Sequence, residues 1–62
     1  MMILEWRDTD SPNRWVTADG RAAIQQVGSR YYTWAVLNQA VGMACGWEAA
    51  EDDVRRELRK LN

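Results

Sequence analysis

Sixty-two residues with one cysteine and no histidine exclude an intrachain disulfide, the common zinc-ligand sets and any catalytic triad built on an imidazole. The formal charge is −1, and residues 1–46 carry four acidic and four basic side chains, so no basic lobe points to phosphate-led nucleic-acid binding. No apolar run has the length of a membrane span and no leader pattern opens the chain, so the expectation is a soluble cytoplasmic protein with a reduced thiol.

In chain order, residues 2–7 alternate: Met2, Leu4 and Trp6 share one face, and Ile3, Glu5 and Arg7 share the other. The pattern predicts a half-buried strand suited to a sheet edge, where Glu5 and Arg7 discourage further pairing. Asp8 to Asn13 is turn chemistry, with Pro12 stopping the strand. A short second strand is predicted over 14–17. Asp19-Gly20 then supplies a hairpin signal, because glycine reaches φ > 0 without steric cost. Residues 22–27 return as a third strand with Ile24 and Val27 as its larger apolar residues, and Gly28-Ser29 makes a second tight turn.

The stretch 31–37 is the longest strand-favouring run and is apolar on both faces. Tyr32, Trp34 and Val36 fall on one side; Tyr31, Thr33, Ala35 and Leu37 fall on the other. Residues 38–46 admit a fifth strand over Ala40–Cys45 or a loop jointed at Gly42 and Gly46. They also admit a helix running from Tyr31, against which Asn38, Gly42 and the β-branched and aromatic residues weigh. Residues 47–61 form the clearest element, because Trp47, Ala50, Val54, Leu58 and Leu61 make one helical stripe. Glu48, Glu51, Asp52 and Asp53 open this helix, while Arg55, Arg56, Arg59 and Lys60 close it, matching the helix dipole at both ends. The fold expected is α+β: an antiparallel meander of three to four strands packed by one C-terminal helix, in a single domain.

Catalysis is poorly provisioned, and no enzyme activity, cofactor or metal is expected. Cys45 is the one nucleophile, placed just before a helix start, where thiolates are favoured. With no partner base in view it is read as a small space-filling residue. Asp8-x-Asp10 opens like a calcium loop, but the turn glycine and the closing glutamate are missing. A chain this short buries only about 60% of its unfolded surface, and four tryptophans or a partner chain must supply what a larger core would. One helix covers one sheet face. Trp15, Tyr31, Thr33 and Leu37, with Arg14 and Arg30 beside them, are therefore expected to form a contact surface for a protein partner or for a second copy of the chain. The alternative is a small nucleic-acid binder using the strand arginines and aromatics, which the charge balance disfavours.

Tyr32-Thr33-Trp34-Ala35-Val36, followed by Gly42 or Gly46 and then Glu48-Ala49-Ala50-Glu51-Asp52-Asp53-Val54, resembles the three-strands-then-helix layout of arm-type DNA-binding domains in phage integrases. That resemblance implies DNA contacts from Arg7, Arg14, Arg21 and Arg30 on the open sheet face. The same layout resembles that of very small phage and prophage proteins, some of which inhibit host defence or regulatory proteins, and implies an accessory or inhibitor role.

Overall fold

The computed structural model describes residues 4–37 and 39–60. Met2, Ile3, Asn38 and Leu61 of the expected elements lie outside the described residues. Five strands form one antiparallel sheet in the order of the chain: β1 Trp6–Asp8, β2 Arg14–Thr17, β3 Ala22–Gln26, β4 Tyr31–Val36 and β5 Ala40–Cys45. The helix α1 spans Trp47–Arg59. The α+β meander stands, with five strands where three to four were expected, because 40–45 joins the sheet.

β5 is a strand of small and larger residues in alternation. Ala40, Gly42 and Ala44 sit half-buried under the helix, and Val41, Met43 and Cys45 are exposed. The small residues let α1 approach, and Gly42 does so most sharply. Trp34 lies opposite it, and its indole occupies the space where a side chain at 42 would stand. The chain then enters the helix through Gly46 at φ +94°, a left-handed conformation that favours glycine. The Gly46 N–H donates to the Arg30 carbonyl at 2.7 Å, so the sheet ladder runs up to the helix without a loop.

The β2–β3 connection is a four-residue loop, Ala18 to Arg21, with Gly20 at φ +76° donating its N–H to the Thr17 carbonyl. Thr17, a buried polar residue, accepts from the Ala22 N–H at 3.1 Å and donates its hydroxyl to Asp19 Oδ1 at 2.8 Å. Before β2, the Thr9 hydroxyl accepts from the Ser11 N–H and donates to the Arg14 carbonyl at 3.0 Å, so Thr9 organises the turn.

α1 packs on β4 and β5 and touches β3, while β1 and β2 meet it only through side chains. The core is Ala22, Ile24 and Val36 from the sheet against Ala50, Val54 and Leu58 from the helix, with Ile24 and Val54 fully enclosed. Leu4, Trp6, Tyr32, Trp34, Ala44 and Trp47 pack around it half-buried. Tyr32, Trp34 and Val36 thus face the helix, as the alternation predicts.

Candidate functional site

The pairing register sorts the sheet into two faces. On the face away from α1, Arg7, Val16, Ala23, Ala35 and Val41 stand in one cross-strand row. Arg14, Gln25, Thr33 and Met43 form the next row, and Tyr31 and Cys45 the last. The β4–β5 side of this face is apolar and open to solvent: Tyr31 is 51% exposed, Leu37 65%, Met43 63% and Val41 80%. The β1–β2 side carries Arg7 and Arg14. Arg7 lies 3.8 Å from Glu5 and Arg21 lies 3.6 Å from Asp19, whereas Arg14 and Arg30 form no ion pair among the described residues.

Of the residues expected to form the contact surface, Tyr31, Thr33, Leu37 and Arg14 share this face. Arg30 precedes β4 on the alternate parity, opposite Gly46, and borders the face. Trp15 does not belong to it. Its strand pairs it with Ile24, which is fully buried beneath the helix, so Trp15 falls on the helix side. Val41 and Met43 take its place, and they went unrecognised because their strand was one of several readings of 38–46. Cys45 is exposed at the end of β5, so it fills no interior space.

On the helix side, the aromatics gather where α1 stops covering the sheet. The Trp47 ring stands edge-on to Trp6, Trp15 and Tyr32, with centroids 5.3, 5.2 and 6.0 Å away and interplanar angles of 72–78°. These rings and Asp8 line an open cleft of about 480 Å³. Trp6 and Trp34 each find a carboxylate on the helix. The Trp6 Nε1–H donates to Glu51 Oε2 at 2.8 Å and the Trp34 Nε1–H to Asp53 Oδ2 at 3.2 Å. The acidic opening of α1 therefore does more than match a dipole: it bonds the helix to β1 and to β4. Glu51 also lies 3.8 Å from Arg55, and Asp53 3.3 Å from Arg56.

Asp19 is held below its ordinary pKa, first by the Arg21 backbone N–H and then by the Thr17 hydroxyl, both donating to its carboxylate. Among the described residues no group of three or more Cys, Asp and Glu side chains is placed to hold a metal ion. No helix among them is long and apolar enough to cross a membrane. No family model, curated protein or solved structure matches the chain.

Proposed function

We propose that this chain is a non-enzymatic protein-interaction module that works through its open sheet face, self-associating as a homodimer along β5. The observation that carries the reading is the exposed set Tyr31, Leu37, Val41 and Met43 running to a sheet edge that no further strand pairs among the described residues. Contiguous exposed apolar surface ending at a free, uncharged strand is a site where another chain pairs.

The chemistry of that edge suits a second copy. Bonded pairs alternate with non-bonded ones in an antiparallel ladder. The Gly46–Arg30 bond assigns the even-numbered β5 residues to β4, so Val41, Met43 and Cys45 turn their backbone groups outward. Pairing about a two-fold axis at Met43 sets Val41 of one copy opposite Cys45 of the other, with no charge on either strand to oppose it. Both open faces then lie side by side as one apolar surface. In a cytoplasmic setting the exposed Cys45 thiol stays reduced and this joint is non-covalent. Such a dimer fits an accessory or inhibitor protein of the phage type whose layout the chain resembles.

Light scattering across a concentration series tests the proposal. The wild type is expected as a dimer that dilutes into monomers, and Met43→Lys as a monomer at every concentration. A wild type that stays monomeric throughout removes the self-association. A second reading, nucleic-acid binding, draws on Arg7 and Arg14 in the open face and on the unpaired state of Arg14. It requires a low-salt mobility shift that fades steeply as salt is added.

A further inference from the structure

The cleft on the helix side is separate from the proposed interaction face and has its own chemistry. We propose that Trp6, Trp15, Tyr32 and Trp47, with Asp8 at the lip, form an aromatic cage for a quaternary ammonium group. Four of the chain's six aromatic residues meet there. All four stay half-buried, although a chain this small gains most by enclosing them. Their arrangement supplies a reason. Trp47 stands nearly perpendicular to each of the other three rings and touches them edge to face, and the four rings together line the open cleft beside them. Its volume, about 480 Å³, lies in the range of small-molecule clefts.

The lining selects a cation. Ring faces carry negative quadrupole potential and attract ammonium groups, tryptophan most strongly. Among the described residues the one charged side chain lining the cleft is Asp8, which is exposed at the end of β1, and no Lys or Arg lines it. Asp8 pairs with Trp15 across β1 and β2, so its carboxylate stands on the same side of the sheet as that ring. Trp6 presents a ring whose N–H is already committed to Glu51, and donation to a carboxylate raises the electron density of the indole. A trimethylammonium group fits this setting better than a primary ammonium, because aromatic walls offer few hydrogen-bond acceptors to replace lost water. The helix fixes the cage through Trp47, its first residue, and through the Trp6–Glu51 bond.

Titration of the full chain with choline, followed by the indole N–H resonances in ¹H–¹⁵N spectra, tests the assignment. Choline is expected to move the resonances of Trp6, Trp15 and Trp47 saturably and to leave that of Trp34 in place. Its neutral carbon isostere, 3,3-dimethylbutan-1-ol, is expected to bind about tenfold more weakly, the margin a desolvated cation–π contact supplies. Trp15→Ala should abolish the response. Asp8→Asn, at an exposed position, should weaken choline several-fold and leave the isostere unchanged. Nα-acetyl-trimethyllysine amide distinguishes the sources of the group: tighter binding than choline assigns the cage to a methylated protein side chain, weaker binding to a free small molecule. Equal affinity for choline and its isostere, or no movement with either cation, overturns the proposal.

Discussion

At Gly42 the reason for a glycine is space. A Cβ built there would meet Trp34 Cζ2 and stand 2.6 Å from Cε2 and 3.0 Å from Nε1, closer than side chains pack. Gly42→Ala must therefore push the indole off β5 and loosen its bond to Asp53. We expect a loss of about 1–3 kcal/mol, the usual cost of overpacking, read as a lower urea midpoint with an unchanged slope. Asp19 governs a different property. Its carboxylate is stabilised in the fold by the Arg21 N–H and the Thr17 hydroxyl, so its pKa is depressed relative to the unfolded chain. A depressed carboxylate pKa contributes stability above the unfolded value, near 3.9, and loses it as pH falls through the lowered folded value. Asp19→Asn should accordingly lie below the wild type in melting temperature at neutral pH. The gap should close in acid, below the ordinary carboxylate range. A gap that is constant with pH would show that Asp19 acts through its shape alone.

Among the elements, α1 is held to β1 by a side-chain bond. Trp6→Phe keeps a ring beside Trp47 and removes the N–H that Glu51 accepts at 2.8 Å. A hydrogen bond to a charged group contributes about 1.5–3 kcal/mol, and the half-buried setting places the expected loss at the lower end. The Trp6→Phe/Glu51→Ala cycle should return a coupling clearly above the scatter of independent sites, about 0.5 kcal/mol. The helix was legible in the sequence because Ala50, Val54 and Leu58 repeat at its period and all three are buried. The grouping of Tyr32, Trp34 and Val36 on one face of β4 was legible too, because they share a parity, but parity alone left open which face the helix covers. β5 was less so. Ala40, Gly42 and Ala44 give almost no hydrophobic signal, and the signal that exists is alternation of small with larger residues. Trp15 could not be placed by parity, since β2 offers an apolar residue on each face, Trp15 and Val16. The pairing with Ile24 decides it. The aromatic cleft was out of reach for a related reason: its walls come from β1, β2, β4 and α1, and only the register brings them together.

For the whole molecule, size sets the problem that the proposed dimer solves. Among the described residues the enclosed core is six apolar side chains, none larger than leucine or isoleucine, in a chain that exposes 4464 Å². A second copy paired along β5 adds backbone bonds at Val41, Met43 and Cys45 and covers apolar side chains that the monomer leaves in water. Because folding and association are then linked, the melting temperature must depend on concentration. A tenfold rise in protein concentration is worth about 1.4 kcal/mol per dimer at room temperature, which at usual unfolding entropies raises the midpoint by about 5 °C. Thermal scans at several concentrations should show this slope for the wild type. Met43→Lys should flatten it, since the charge sits on a strand edge that has lost its partner, not in the core. Gly42→Ala should lower every midpoint, because it acts on the Trp34 packing within one chain. A Met43→Lys variant that melts lower yet keeps the full slope would place the contact away from β5, and a flat wild type would leave the open face to a different partner.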